Sequence, residues 1–433
     1  MSSHTSYDQA VAAWMAGETM RRNRRTFKQF AYGQQWDAIL DSHTAQNSAV
    51  KLSEQELRYI EQRKRPLTTN LIRSLIKSVV GRFRMNITRE ERPAAPQLTK
   101  AAEINRLDEL DARALEEFLI SGCAIQRVVS EKRFDGPGIW VDNVNPSHLF
   151  CNRFSDPRGT DIRVIGMIHE MSLAEMCLRF GHGSRRRRRD IMEFFKRRSS
   201  SAPTLSLATA DTAQVDFDHA SDPSLCPVTE VWTLELDKNF SPVWRGRFFA
   251  PGGTLLDETQ SPFGHRSHPF VVNFYPLIDG EVHPFIEDVI DKQRHINVLI
   301  ATIDLILENS AKSVLLFPDD CASGSTSVVE AARLWGVPGA VIPVNPHATR
   351  MPEEITATGH SEGASQLLDT ELRLFQQISG VTDAFQGRNI SGTTSAQLYE
   401  SQVENSAIAP MDIYESFNAF RSSRNYKILN ISQ

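Results

Sequence analysis

Between Pro284 and Phe420 the 433-residue chain orders its elements in a way few folds accommodate: an amphipathic helix, a short Gly- and Pro-punctuated insert, a second helix, then a Ser-Gly loop opening a third. In the first helix Ile286, Val289, Gln293, Asn297, Ile300 and Leu307 recur every three or four residues, which places them on one stripe. From Pro284, suited to a first turn, to about Ser310 there is no internal Pro or Gly, so this helix can reach ~40 Å at about 1.5 Å per residue. Gln293 and Asn297 interrupt the stripe, and Asp304 breaks the apolar run from Val298 to Leu307. Such a helix suits a subunit interface better than a membrane span, which needs ~20 apolar residues.

Ser313 to Phe317 then reads as a strand, Pro318 to Thr326 as a turn cluster, Val328 to Leu334 as a short helix and Ala340 to Val344 as a second strand. Helical periodicity resumes with Leu368, Leu372, Phe375 and Ile378 and stops at Gly380, a C-cap. Val381 to Gly392 has turn chemistry, and Thr393 or Thr394 can cap a helix running to Phe420 with a kink at Pro410. Tyr426 to Ile431 reads as the start of a strand.

Upstream, Ser53 to Arg63, Leu71 to Val80 and Ala101 to Ile120 read as helices. Ala124 to Val129, Ile139 to Val144 and Ile162 to Ile168 read as strands against them, and Ser172 with Glu175 forms a capping box. Ser199 to Asp216, rich in Ser, Thr and Ala, reads as an exposed loop. A second β-rich stretch covers Thr229 to Leu236, Val243 to Phe249 and Phe270 to Phe274, so the body to about Val282 is α+β.

Composition bounds the function. The length suggests two or three domains, and 40% hydrophobic with 23% charged residues is the balance of a soluble globular protein. A net charge of −5 argues against the chain as a whole holding nucleic acid tightly. Five cysteines without a C-x-x-C pair give neither a zinc ribbon nor a disulfide framework, which fits synthesis in a reducing cytoplasm.

No G-x-x-x-x-G-K-[ST] loop is present to cradle nucleotide phosphates. His265 and His268 flank a turn without a third ligand, which reads as a polar loop rather than a metal site. Ser391 lies in no G-x-S-x-G elbow and reads as a helix-opening residue. The sequence therefore assigns no catalytic residue, no metal and no cofactor. Two basic clusters remain: Arg21, Arg22, Arg24, Arg25 and Lys28, then Arg185 to Arg189 with Lys196, Arg197 and Arg198. Each reads either as a set of phosphate contacts or, with more weight, as a solvated or intersubunit face.

With catalysis unsupported, the order of elements carries the reading, and along nearly its whole length the chain resembles the portal proteins of tailed bacteriophages and prophages. The resemblance rests on Tyr32-Gly33-Gln34-Gln35-Trp36, on Arg65-Pro66-Leu67-Thr68-Thr69-Asn70 before Ile72, Ile76, Val80 and Gly81, and on Val144-Asn145-Pro146 before Phe150. It continues through Met171-Ser172, Gln293-Arg294 with Asn297, Ser379-Gly380-Val381, Gly387 and Ser391-Gly392. It implies an α/β wing over 1–283, a first stem helix over 284–312, a small β/α clip over 313–360 and a second stem helix over 361–380. A tunnel loop over 381–392 and a long kinked tunnel helix with the start of a returning wing strand over 393–433 complete that layout. Similar proteins continue into further wing strands and a crown, so the resemblance leaves this chain without a crown: the gene is truncated or the rest is encoded elsewhere.

The function so implied is that of a ring subunit, typically one of twelve, at a capsid vertex of the virion, made in the bacterial host cytoplasm. Double-stranded DNA passes through the ring during packaging and ejection. The partners implied are further copies of the chain, the terminase large subunit that hydrolyses ATP, and capsid and head-tail connector proteins; no membrane is involved. The residues expected to face DNA are Asp383, Gln386, Arg388 and Asn389 in the tunnel loop, with Lys292 and Arg294 on the stem. Asp319, Asp320 and Arg333 in the clip are expected to meet the motor or connector. The alternative is a nucleic-acid-processing enzyme that uses Arg185 to Arg189 with a metal at His265 and His268. It predicts metal dependence and activity as a monomer.

Overall fold

The computed structural model describes residues 3–38, 67–89, 95–133, 136–156, 158–201, 217, 222, 224–310, 314–321, 327–335, 337, 339, 341–355, 361–381, 385 and 408–431. The chain divides into two compact units, one of residues 1–38, 70–290 and 379–433, the other of 39–69 and 291–378.

In the first unit α1 (Ser3–Ala16), α2 (Glu18–Ala31), α3 (Leu71–Arg89), α4 (Pro96–Asn105) and α5 (Leu107–Ser121) precede the sheets. The strands are β1 (Cys123–Arg133), β2 (Gly136–Asn143), β3 (Leu149–Cys151) and β4 (Val164–Met171), then, after helices α6 (Leu173–Phe180) and α7 (Arg185–Ser201), β5 (Cys226–Leu236), β6 (Pro242–Ala250), β7 (Thr254–Gln260) and β8 (Phe270–Phe274). A small hairpin, β9 (Leu277–Ile278) with β10 (Glu281–Val282), follows. β3 to β7 form an antiparallel meander in chain order, while β1 lies between β2 and β8 in a separate three-stranded sheet. One apolar cluster joins them, with Cys123 and Ile125 from β1, Ile165 from β4, Trp232 from β5 and Phe270 and Phe274 from β8. This shared core explains why β1 and β5 are buried along seven and eight successive residues rather than alternately. Both faces of these strands are covered.

The helix expected over Ala101 to Ile120 is two helices, broken at Arg106, which takes a left-handed φ of 49°. The cause is Asn105. Its Nδ2 donates to Ala101 O at 2.8 Å and to Ile139 O at 2.9 Å, and its Oδ1 accepts from Val141 N at 2.9 Å. It thus supplies the edge strand β2 with partners its sheet lacks, and ends α4 in doing so. The capping box at α6 forms as expected: Glu175 N donates to Ser172 Oγ at 3.3 Å, and Ser172 N to Glu175 Oε2 at 2.7 Å.

Helix α8 (Glu287–Ser310) begins in the first unit and runs into the second. The second unit then carries β11 (Val314–Leu316), a 3-10 turn at Asp319–Cys321, α9 (Val328–Trp335), β12 (Glu353–Ile355) and α10 (Ser361–Ser379). Here β11 pairs with β12, antiparallel, Leu315 opposite Glu354. The strand expected at Ala340 to Val344 is absent from the described part of that stretch: Val341 is 84% exposed, and Asn345 N donates to Cys321 O at 3.0 Å. Pro343 supplies no N–H, which removes one of the donors a ladder there would need.

Gly380 follows α10 with φ +65°, the left-handed conformation expected of a C-cap. The last helix, α11 (Met411–Leu429), corrects two expectations. It starts after Pro410 rather than kinking there, because Pro410 stands at the N-cap, where no N–H is required. Tyr426 to Leu429 belongs to this helix and not to a strand: Ile413, Phe417, Phe420, Arg424 and Ile428 continue one buried stripe, and only Ile431 bridges to Phe263. The helices expected at Ser53 to Arg63 and from Thr393 up to residue 407, and residues 202–216 of the expected loop, lie outside the described residues. No described helix is long and apolar enough to cross a membrane.

Candidate functional site

In the second unit the polar residues that interrupt the long stripe have a structural use. Gln293 and Asn297, 0% and 2% exposed, face the backbone of Thr69: Gln293 Nε2 donates to Thr69 O at 2.6 Å, and Thr69 N donates to Asn297 Oδ1 at 3.2 Å. Gln293 also donates to Asn297 Oδ1 at 3.2 Å. The segment ending Leu67-Thr68-Thr69 and the Gln-Arg-x-x-Asn segment are therefore brought together. In the first unit Asn70 starts α3, accepting from Arg73 N at 3.0 Å, and Gln35 Nε2 reaches its Oδ1 at 3.3 Å.

Helices α8 and α10 meet over Glu371, whose side chain is only 8% exposed. Lys292 Nζ stands 3.1 Å from one carboxylate oxygen and His295 Nδ1 3.2 Å from the other. Of the two stem cations expected to face DNA, Lys292 is thus paired, and Arg294 is 15% exposed with Asp291 at 4.0 Å. The carboxylate at position 371 was not singled out in the sequence, because Glu371 sits beside apolar positions that carry the helical signal.

In the insert, Asp320 Oδ2 accepts from Thr349 N at 2.8 Å, and that backbone bond pulls its carboxyl below the ordinary range. Asn345 Nδ2 donates to Asp320 O at 3.1 Å, so the turn containing Asp319 and Asp320 is tied to the following loop. Arg333 projects from α9 into solvent, and Val329, 80% exposed, lies on the same short helix while Ala331 is buried. Asp320 and Arg333, of opposite sign, are both exposed. Asp383, Gln386, Arg388 and Asn389 lie outside the described residues.

The first unit holds two buried charge centres that the sequence did not disclose. Glu230, 0% exposed, pairs with Arg127 at 3.1 Å and His169 at 2.6 Å and accepts from Trp232 Nε1 at 2.8 Å. Burial alone would raise its carboxyl; Arg127 and His169 more than offset this and hold it well below the usual range. Asp111, 1% exposed, pairs with Arg421 at 3.0 Å and with Arg424, beside a cleft of about 910 Å³ between α4, α5 and α11. In each centre a buried carboxylate is held by basic side chains from other elements, Arg127 and His169 at Glu230, and Arg421 and Arg424 at Asp111, which ties those elements together.

The two imidazoles of the expected polar turn are each engaged separately. His265 Nε2 meets Ser267 Oγ at 2.7 Å, whereas the His268 ring packs edge-on to Trp244 at 4.7 Å between centroids. Among the described residues, no three His, Cys, Asp or Glu side chains gather as a metal-ligand group. Beside them Lys427 donates to Phe270 O at 2.9 Å and to Ser267 Oγ at 3.3 Å, and its burial lowers its pKa to about 7.

No curated protein matches the chain. A sequence profile of one family, by contrast, spans nearly all of it, from the first helix through α11. Residues 7–430 match the family described as phage P22-like portal protein, and the chain belongs to that family.

Proposed function

We propose that this protein is the subunit of a ring-shaped DNA channel at a capsid vertex, acting in genome packaging, ejection and head-tail joining. The observation that carries the reading is the family match over residues 7–430, which takes in both compact units. In this reading the wing reaches residue 283, the stem helices lie at 284–312 and 361–380, the clip at 313–360, the tunnel loop at 381–392 and the tunnel helix beyond. Copies of the chain, twelve in number, close the ring, and the terminase large subunit docks on the clip through Asp319, Asp320 and Arg333. The chain itself catalyses nothing; ATP hydrolysis belongs to the terminase.

Asp383, Gln386, Arg388, Asn389, Lys292 and Arg294 are assigned to the channel. A channel must let DNA slide, and each tightly held phosphate would release counterions and retain the duplex. Pairing of Lys292 with Glu371 supports a weak grip, since a neutralised ammonium offers a phosphate little. The net charge of −5 points the same way. Mass photometry and negative-stain imaging of the purified chain test the proposal: closed rings with a central hole are expected, and monomers that cleave DNA with a divalent metal would overturn it.

A further inference from the structure

Two arginine-rich segments stand out in the sequence, and the fold uses them differently. In the first, Arg24 is buried, with Glu117 held by two bonds of 2.7 and 2.8 Å and Ser147 Oγ at 2.8 Å. Arg21 stacks 3.6 Å above the Trp14 ring and donates to Trp14 O at 2.7 Å. These two arginines are internal ties of the first unit. The second segment, Arg185 to Arg189, forms the opening of α7, and all five side chains are exposed. None of the five has a hydrogen-bond or ion-pair partner for its side chain among the described residues.

The segment is nevertheless held in place. Ile191, 6% exposed, anchors α7 in an apolar cluster with Met176, Phe180 and Phe248. Arg188 lies over Gly181, where an added Cβ would come within 2.9 Å of its Cγ. Among the described residues no carboxylate pairs with these five side chains, although Asp190 and Glu193 lie on the same helix. Five like charges within two turns repel one another, and they sit at the end of the helix where the backbone dipole is already positive. Asp190 follows Arg186 by four residues, in the less favourable order for a helical ion pair. A chain of net charge −5 thus concentrates five exposed arginines, without ion-pair partners among the described residues, at the start of one helix.

We propose that Arg185 to Arg189 form a docking surface on the wing for the phosphate backbone of a nucleic-acid duplex, separate from the residues assigned to the channel. The guanidinium fork matches a phosphate bidentately, which an ammonium does not. Distribution decides between a duplex and an acidic face of a second copy. Consecutive helical residues step by about 100°, so the five arginines ring the helix instead of lining one stripe. A flat acidic face would meet only part of such a ring, whereas a helix lying in a groove has a phosphate row on either side. Recognition of this kind follows charge and backbone geometry and carries no base sequence.

Fluorescence anisotropy of the full chain with a short labelled DNA duplex, over about 50 to 200 mM salt, tests the proposal. A combined Arg185→Gln, Arg186→Gln, Arg188→Gln and Arg189→Gln variant should bind at least ~10-fold more weakly at the low-salt end and lose about 0.9 in log–log salt slope per phosphate contact removed. The same four positions changed to Lys should keep most of the slope while weakening binding a few-fold, and they guard against a folding defect in the Gln set. Both variants leave the channel residues intact, so DNA held there contributes equally to parent and variant. Unchanged affinity and slope in the Gln variant would overturn the proposal. So would an altered particle mass with DNA binding unaffected, which would mark a contact between copies, and so would poly-glutamate binding as tightly as the duplex.

Discussion

Arg421 donates from Nε to Asp111 Oδ2 at 3.0 Å, and with Arg424 on the other oxygen it fixes α11 against α5. Asp111 and Arg424 are 1% and 2% exposed, and Gln126 Nε2 adds a third donor at 3.3 Å. Replacing Asp111 by Asn keeps the size but leaves two guanidinium groups without a counter-charge. Breaking a buried pair in this way costs about 3 to 5 kcal/mol. Chemical unfolding should show a loss of that order, and hydrogen exchange should show α11 opening before the sheets; a variant as stable as the parent would mean the cleft admits enough water to solvate both arginines.

Glu371 faces two basic side chains at once, Lys292 and His295, from a side chain 8% exposed. Lys292 keeps 30% of its side chain in water, so the cost of Glu371→Gln is discounted to about 1 to 2 kcal/mol. The double variant Glu371→Gln with Lys292→Met should recover part of it, since no buried charge then lacks a partner. A thermal-melt cycle of the four proteins measures the coupling, and additivity within error would show that the pair contributes nothing.

The order of helix, insert and helix between residues 284 and 380 was legible because periodicity and Gly/Pro punctuation act locally. So was the capping box at Ser172, which spans four residues. What the sequence withheld is non-local. Asn105 reads as an ordinary helical residue until β2 lies beside it and accepts its side chain. Pro410 reads as a kink because the pattern runs past it, yet a helix that starts there satisfies the same pattern without losing a bond. The carboxylates at 111, 230 and 371 gain their meaning from arginine, lysine and histidine residues far along the chain. Of the two arginine clusters, composition could not tell that Arg21 and Arg24 of the first are engaged internally while Arg185 to Arg189 of the second are all exposed.

Gly122 ends α5 with φ +69°, and a Cβ there would strike Val282 and approach Tyr275 O to 3.2 Å. The left-handed conformation costs a substituted residue roughly 1 to 2 kcal/mol and the overlap about 1 to 3 more. Gly122→Ala should therefore lower the unfolding midpoint by far more than Gly183→Ala, which shares a positive φ of 73° but meets nothing within 4 Å. Equal midpoints would assign the whole effect to backbone conformation.

The Glu230 centre should make stability depend on acid. Burial pushes the carboxyl up, but Arg127 and His169 prevail and its folded pKa lies below the unfolded value. Its contribution is present in full above the unfolded carboxyl range near 4.3 and is lost as pH falls toward the folded value. His169 acts with the same sign: burial depresses its pKa, so the unfolded chain takes up the proton first as pH falls below about 6.5. Stability should thus decline in two stages, first below about 6.5 and more steeply below about 4.3. His169→Gln should flatten the first stage while Glu230 remains paired with Arg127. Glu230→Gln should remove the second, at a cost of about 3 to 5 kcal/mol near neutral pH from the unpaired Arg127. Unfolding free energies between about pH 2 and 8 for the three proteins decide it, and parallel curves would show that other titrating groups govern the acid response.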